Sequence, residues 1–521
     1  MKKSVAVIAV LSFCFALALY AANIWLGTLN LDEGWYLYAA KSFAAGKMPY
    51  RDFFFTQAPL LPAVYGALAG LWAGQGVLGG RLLTAGIGLA AAVLTAFLAA
   101  TAVPRRNKFA AGITAFLLVA GNVYHSYFTA IPKTYSLASF FIAAGFLSLG
   151  DAGAGRDDAS PRLSGVWTAV RAALCGLLLA FAASTRLSLG AMLAATGLVL
   201  LLAFRRCGFS WLWFGLGGIL GLGFGLAPFV LGHVDAFAFA NFFHGGRASG
   251  GLVFAAGSLS RLARNYMPVC LVALACLAMP LLGCRRPSGR LPVAPLVWLA
   301  AFGAAFAVHL LSPFPYDDYQ VPLMPLLAAA CSAFFWRKCG LDERGTMRLL
   351  GLFLFLAVVF AGTSPMNESW VVVRKDRFWV RTKERPDLAV LRKVGRDLSA
   401  KIPEDGFLLT QDTYLAVEAG CLVPSGFEMG PFGYFPALGD EEAAKFHVLN
   451  ERLLEKAIVE SSAPMAAFSG YAFSMAAPAM DCADDTREAM LGRVRARYLP
   501  CGEVADFGQE HTRLELFEKN D

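Results

Sequence analysis

Apolar stretches of about 20 residues recur along the first 365 positions of this chain, the length an α-helix needs to cross a hydrocarbon core about 30 Å thick. That recurrence constrains the fold more than any other feature. The composition agrees with it. Hydrophobic residues make up 57% of the 521 positions and charged residues only 16%, against about 25% charged in an ordinary soluble domain. Aromatic residues reach 13%, driven by 42 Phe. There is no solenoid-like repeat and no low-complexity tract.

Residues 4–26 follow the basic start Met1-Lys2-Lys3. Small residues near Ala21-Ala22 fit a signal peptide, but the run is longer than a usual signal core. It reads as an uncleaved anchor, with its amino terminus in the cytoplasm by the positive-inside rule. Later basic clusters mark cytoplasmic loops: Arg105 to Lys108, Arg156 to Arg162, Arg205-Arg206, Arg285 to Arg290, and Arg337 to Arg348. Between them lie candidate spans near 82–103, 109–124, 132–150, 166–185, 189–204, 211–232, 266–283, 292–311, 321–336 and 348–364. With the first, these make about eleven crossings. The apolar stretch 59–78 is long enough to span, yet counting it would put Arg105 to Lys108 outside and reverse every later basic loop. It is therefore expected as a helix lying along or dipping into the outer face.

This topology puts 27–57, 125–131, 233–264, 312–320 and 365–521 outside. The last segment is polar enough to fold in water. Helix-like stretches at 387–400, 440–458 and 484–497 alternate with short apolar runs, Phe407 to Thr410 and Leu514 to Phe517, which predicts a small α/β domain. It carries no glycine-rich phosphate fingerprint. Eight of the eleven Cys lie in or beside spans, where Cys behaves as a small apolar residue. Of Cys421, Cys482 and Cys501, a Cys482–Cys501 disulfide is the pairing considered, although connectivity cannot be read from sequence. The net charge of +8 follows from the loop bias and does not point to nucleic acid.

The informative stretch is 31–62, LDEGWYLYAAKSFAAGKMPYRDFFFTQAPLLP. Adjacent acids Asp32-Glu33 follow the first span. Tyr36, Ala40 and Phe43 come next at helical spacing, which places the acids at the start of a short amphipathic helix. The dipole favours acids there, so a plain reading is that Asp32 caps the helix. The second half surrounds the pair Arg51-Asp52 with Tyr50, Phe53-Phe54-Phe55, Gln57 and prolines. A belt of interfacial aromatics is the plain reading of that half.

Taken together, the acidic pair, Y…A…G…PY.D and P-L-L-P resemble the first outer loop of the GT-C glycosyltransferases, the superfamily of protein O-mannosyltransferases and lipid A aminoarabinose transferases. Gly176…Ala180…Thr185-Arg186 and Tyr319-Gln320-Val321-Pro322…Pro325 are weaker echoes of later family patterns. The resemblance implies a fold: a polytopic α-helical membrane protein of GT-C type with about eleven transmembrane helices and a C-terminal soluble α/β domain. Residues 1–364 form the catalytic region, with the motif loop at 27–81, and 365–521 the outer domain.

The resemblance also implies a chemistry. A sugar leaves a polyprenyl phosphate with inversion, assisted by a carboxylate base, as in inverting glycoside hydrolysis with an acceptor in place of water. Asp32 is then the base, and Glu33 the alternate. Outer-face cations would meet the phosphate, Arg bidentately and Lys as a point charge. The candidates are Lys41, Arg51, Lys133, Arg186, Arg247, Arg261 and Arg264. Lys133 and Arg186 stand near span ends, where the plain reading is snorkelling to the headgroups. The pocket candidates are Tyr36, Tyr50, Asp52, Phe53, Gln57 and Tyr319. Some relatives carry an acid near Ile131-Pro132-Lys133, and this chain has a lysine there.

Other features are weaker. Asp317-Asp318 between prolines read as a solvated turn, with acceptor or divalent-ion binding as the alternative. His125, His233, His244 and His309 show no metal-ligand spacing, and no metal ligand or cofactor is assigned, a divalent ion being the open alternative. The segment Asn241 to Arg247 reads as a mobile loop or a plain connector. Gly426 to Pro436 is expected to pack the tail onto the membrane region, or else to seat an acceptor. Expected partners are a polyprenyl-phosphate-linked sugar, a glycan, lipid or protein acceptor, and membrane lipid; the expected location is a bacterial inner membrane, with the outer domain periplasmic. A transporter of lipid-linked glycans would show paired halves and midplane charges, and a non-catalytic assembly protein would not need Asp32.

Overall fold

The computed structural model describes residues 2–150, 165–203, 207–243, 250–279, 293–364, 385–403, 405–477, 481–509 and 512–520. The membrane region is helical throughout. We label its principal helices α1 (Lys2–Leu26), α2 (Leu31–Ala44), α3 (Leu60–Ala67), α4 (Gly76–Thr101), α5 (Lys108–Ala120), α6 (Thr134–Leu149), α7 (Gly165–Thr185), α8 (Gly190–Leu202), α9 (Ser210–Gly225), α10 (Gly251–Asn265), α11 (Met267–Ala278), α12 (Val293–Leu310), α13 (Met324–Lys338) and α14 (Glu343–Gly362).

A helix occupies each of the eleven expected spans. Among the described residues five helices are long and apolar enough to cross a membrane alone, and the pair α10–α11 passes the same test only together, bent by 84° as a broken span or a re-entrant loop. The others are shorter. α6 and α9 have 16 residues each, roughly 24 Å at 1.5 Å per residue, and neighbouring turns such as Ala227–Val230 extend them. The polytopic fold therefore stands, while several crossings fall short of full length as single helices.

The basic residues beside α4 and α13 collect at one end of the bundle. There the Asn107 side chain donates to the carbonyl of Cys339 at 3.3 Å, and Arg337 donates to that of Ala102 at 3.3 Å. The motif loop lies at the opposite end of α4.

The stretch 59–78 is not one continuous helix. α3 ends at Ala67, a single turn spans Ala69–Trp72, and a 3-10 turn covers Ala73–Gln75. α4 then starts at Gly76, six residues before the expected span at 82, so the tail of the expected surface helix belongs to α4. The reversal occurs at Gly76, whose φ of +59° suits glycine. A Cβ there would strike the Glu418 carboxylate. Glu418 in turn accepts from the amide of Val77 at 2.9 Å, satisfying an orphan donor at the start of α4.

Close packing of α7 on α9 depends on small residues. Gly217, Gly221 and Gly225 recur every fourth residue along α9 and face α7, and a Cβ on Gly217 would run into the backbone of Ala173. Gly176 meets the backbone of Phe214, and Ala180 faces Gly221. Contacts of this kind drive helix association where lipid removes the hydrophobic drive. The Gly176…Ala180 pattern thus fixes the helix that ends beside Arg186.

Asn30 caps α2, and the capping box is completed by Glu33, which accepts from the Asn30 amide at 2.8 Å. Glu33 is fully buried and paired with Arg81 of α4. All five guanidinium N–H groups are used. Nε and Nη2 bind the two Glu33 oxygens at 2.8 and 2.7 Å, Nη1 donates to the carbonyls of Ile24 and Gly27 at 2.8 and 3.0 Å, and Nη2 also donates to that of Thr28 at 2.9 Å. One side chain thereby closes the end of α1, the turn after it and the start of α2.

Residues 385–520 carry a four-stranded sheet ordered β1 (Leu408–Leu409), β2 (Met465–Phe468), β4 (Thr512–Lys519), β3 (Tyr498–Phe507). β1 pairs parallel to β2, and the other pairs are antiparallel. Helices at Asp387–Ser399, Glu451–Val459 and Asp484–Arg497 match the expected α/β pattern. This unit shares one core with the motif loop: Trp35, Tyr36 and Phe53 to Phe55 belong to the same buried cluster as Leu391, Tyr414 and Phe468. The considered Cys482–Cys501 disulfide is not formed, and both thiols are free.

Removing the arginine of a buried pair strands its carboxylate at a cost of about 3–5 kcal/mol. Arg81→Met is expected to lower the thermal unfolding midpoint in detergent sharply, and Arg81→Met with Glu33→Leu to recover part of the loss. Equal midpoints for wild type and Arg81→Met would refute this assignment.

Candidate functional site

Asp32 follows the cap residue by two positions, on the turn of α2 that Arg81 fixes through Glu33. Asp32 itself is not the cap: Asn30 supplies that oxygen. The Asp32 carboxylate receives the Trp35 indole N–H at 3.2 Å and the Lys133 ammonium at 2.9 Å, and it keeps 30% side-chain exposure. Glu33 has no exposure and both its oxygens are bound. The expectation that Glu33 serves as an alternate base is corrected by this geometry, because it faces α4 and cannot meet a substrate.

Lys133 immediately precedes α6 and bridges two acids, Asp32 and Asp318, the second at 3.3 Å. Its Nζ also lies 5.3 Å from the Phe128 ring centre and 5.5 Å from that of Tyr135. Asp317 and Asp318 open the 3-10 helix Asp317–Leu323. The solvated-turn expectation for them is corrected. Asp318 accepts from the Tyr135 hydroxyl at 2.9 Å, and Asp317 accepts from Tyr124 at 2.7 Å and from Arg261 at 3.0 Å.

Arg186 leaves the end of α7 and stacks on Tyr319, 4.3 Å from the ring centre, with Tyr135 at 5.4 Å. Its Nε–H is buried without a hydrogen-bond partner. A guanidinium held between aromatic faces with an unused donor is set to receive an oxyanion. Behind it, His309 is fixed by Ser188 at 2.7 Å and Gln320 at 3.2 Å. Tyr36 lies among Asp32, Arg186 and Lys133, and burial pushes its hydroxyl above the ordinary phenol range. Asp32, Lys133, Arg186, Tyr36 and Tyr319 therefore converge, and Asp317, Asp318 and Arg261 complete the cluster. Among the described residues no group of three or more His, Cys, Asp and Glu is arranged to hold a metal.

The other expected residues stand elsewhere. Lys41 is nine residues beyond Asp32 on α2, roughly 13 Å away and on the opposite face; burial lowers its pKa, and it lies within electrostatic reach of Asp405 in the outer domain. Arg51 and Asp52 pair with each other at 2.7 Å on the surface, and Asp52 braces its own turn through the Met48 amide at 2.7 Å. In that turn Tyr50 adopts φ +68° and its hydroxyl binds the Gln57 carbonyl. Phe53 packs edge-on to Phe55, 6.3 Å between centres, in the shared core. These are scaffold contacts. Arg264 is exposed and lines a separate groove. Arg247 and His244 lie outside the described residues.

Gly426 to Pro436 packs the outer domain onto the membrane region. Phe432 contacts Trp35 at 6.5 Å between ring centres, and Phe435 contacts Phe54 at 5.5 Å. Within it Glu428 is buried, with one oxygen accepting from the Gly426 amide at 2.7 Å. Burial raises its pKa to about 7, so the fold binds this proton more tightly than the unfolded chain does. The associated stability is present below the ordinary glutamate pKa and is lost as pH rises toward 7. Glu428→Gln is expected to raise the unfolding midpoint above pH 7, by roughly 3 kcal/mol at most, and to change nothing below pH 4. The same gain at both pH values would show that Glu428 is not neutral at low pH.

No protein-family model matches the sequence, and no curated protein matches it. Among the solved structures that match, two of ArnT are matched along nearly the whole length of both chains. The crystal structure of ArnT from Cupriavidus metallidurans bound to undecaprenyl phosphate shares 15% identity at a TM-score of 0.60, covering 99% of this chain and 97% of that one. Its apo form shares 14% at a TM-score of 0.61, covering 98% and 97%. At such identities the likeness is one of fold, and it takes in nearly the whole of both chains: this chain has the polytopic fold of ArnT, with its C-terminal domain included.

Proposed function

We propose that this protein is an integral membrane glycosyltransferase that moves a sugar from a polyprenyl-phosphate donor to an acceptor hydroxyl with inversion. One observation carries the reading. The part-exposed Asp32 carboxylate stands beside Lys133 in a pocket that also holds Arg186, a stacked guanidinium with an unused buried N–H. The ArnT fold, found with undecaprenyl phosphate in one of its structures, supports the donor class.

In this mechanism Lys133 and Arg186 receive the donor phosphate. Tyr319 and Tyr135 keep the guanidinium in place, and Asp318 limits the motion of Lys133. Asp32 takes the proton from the acceptor O–H as the acceptor oxygen bonds to the anomeric carbon. The bond from that carbon to the phosphate oxygen breaks with its electron pair, and polyprenyl phosphate leaves as an anion. The leaving group needs cations more than a proton. Residues 1–364 then form the catalytic region, and 365–521 close it from above while fixing α2. The amino terminus lies in the cytoplasm and the outer domain in the periplasm, a sidedness supported by the basic end of the bundle.

A base of this kind contributes about 10²–10⁴-fold. In proteoliposomes with a panel of polyprenyl-phosphate sugars and native membrane extract as acceptor, wild type is expected to release polyprenyl phosphate. Asp32→Asn should be slower by that factor with an unchanged unfolding midpoint. Full activity in Asp32→Asn would remove the base assignment, and folded wild type that consumes no donor would favour a transporter or scaffold.

The sidedness has its own test. Cys501 is exposed, and a membrane-impermeant maleimide is expected to label it in cells whose inner membrane is intact, but not in Cys501→Ser. Labelling only after that membrane is permeabilised would invert the topology.

A further inference from the structure

Arg264 does not join the Asp32 cluster. It stands at the end of α10, where the chain turns by 84° into α11, and it lines a cavity of about 350 Å³ between α5, α11 and α14. The lining is graded along its depth on α11 and α14, and on α5 apart from Thr114, whose hydroxyl already accepts from the Trp336 indole at 2.8 Å. At the end nearer the Asp32 cluster it is polar: Asn122, Arg264, Asn265, Thr363 and Ser364. Deeper positions are apolar: Leu117 and Leu118 on α5, Leu271 and Val272 on α11, Phe353 and Leu356 on α14. From Phe353 to Ser364, eleven residues of rise give a depth of roughly 16 Å.

We infer that this groove is a binding site for an anionic phospholipid of the surrounding bilayer, with one acyl chain in the groove and the headgroup phosphate on Arg264. The grading matches an amphiphile with a long apolar chain and a charged head, entered from the membrane side. Arg264 is the only charged residue lining the groove among the described residues, and none of those lining residues is an acid. The mouth therefore offers nothing to receive the amine of a zwitterionic head, while a guanidinium meets phosphate bidentately. Asn122 is already committed, accepting from the His125 amide at 3.0 Å and donating to the Asn265 carbonyl at 2.8 Å, so it shapes the mouth and leaves the charge contact to arginine.

The site also touches the proposed centre. α10 carries Arg261 one turn before Arg264, and Arg261 binds Asp317. Phe254, on the same helix, packs on Phe314 at 5.5 Å between ring centres. A lipid bridging α10, α11 and α14 would hold α10 against that loop. Leu252 and Val253 at its other end are 90% and 87% exposed, as expected of a helix lying in the interface.

The test is native mass spectrometry of the protein released from nanodiscs of equal phosphatidylglycerol and phosphatidylcholine. Wild type is expected to retain one phosphatidylglycerol in preference to phosphatidylcholine. Arg264→Glu should weaken that retention roughly tenfold, the scale of one charge-assisted contact. Leu271→Trp, which fills the groove from a part-exposed position, should abolish retention of either lipid, with the unfolding midpoint of both variants unchanged. Equal retention of the two lipids by all three proteins would overturn the site. Loss in Leu271→Trp with no effect of Arg264→Glu would overturn the headgroup assignment. One-for-one displacement of phosphatidylglycerol by added polyprenyl phosphate would assign the groove to the carrier instead.

Discussion

The side chain of Arg81, on α4, ties together the end of α1, the turn at residues 27–30 and the first turn of α2, a stretch that lies about fifty positions earlier in the chain. Its pairing with Glu33 is completely buried, so neither charge is paid for by water. Such a pair adds little net stability, because desolvation offsets much of the attraction. What it supplies is position. Every guanidinium N–H has an acceptor, and each acceptor lies in the segment that delivers Asp32. The Asp32 carboxylate can then point into the pocket while its neighbour points away. Two adjacent acids thus take different roles because a helix turns by about 100° per residue.

From that anchor the site reads as alternating charge. Asp32, Lys133 and Asp318 form one chain of contacts, and Asp317 with Arg261 forms another beside it. Arg186 is half-buried at one edge with aromatic partners in place of a carboxylate. An anion entering there meets a cation not already committed to an acid, so binding need not first break an ion pair. The outer domain contributes through the same scaffold. Asp387, Gln509 and Glu418 accept amides from Leu29, Leu31 and Val77 at 3.4, 2.9 and 2.9 Å. The amide of Val423 donates to Tyr38 at 2.9 Å. A domain polar enough to look independent is therefore part of what orients α2.

Several residues were misplaced from sequence for identifiable reasons. Lys41, Arg51 and Arg264 share the outer face with the site, but proximity in a loop does not give direction. α2 turns Lys41 away from Asp32, Arg51 spends its charge on Asp52, and the bend at Tyr266 sends Arg264 to a different groove. Asp317 and Asp318 were underrated because their partners, Tyr124, Lys133, Tyr135 and Arg261, are distant in the chain. A hint was present: Lys133 at a span end and an acid pair 184 positions later (Asp317 against Lys133) are opposite charges expected on the same outer face.

The sequence alone determined the polytopic architecture, the helices that occupy the expected spans and the place of Asp32 in the first turn of a short helix. These follow from hydropathy, loop charge and a local motif, which act over a few turns of chain. It also carried the small-residue spacing that lets α7 and α9 approach. Tertiary structure decided which cations face Asp32, that Glu33 pairs with Arg81 in the interior, that the 59–78 stretch breaks at Gly76, and that the outer domain shares a core with the motif loop. Those outcomes depend on contacts between residues up to 478 positions apart, such as Leu31 with Gln509. No local pattern encodes such contacts, because the free energy of a buried charge is set by the groups that fold against it.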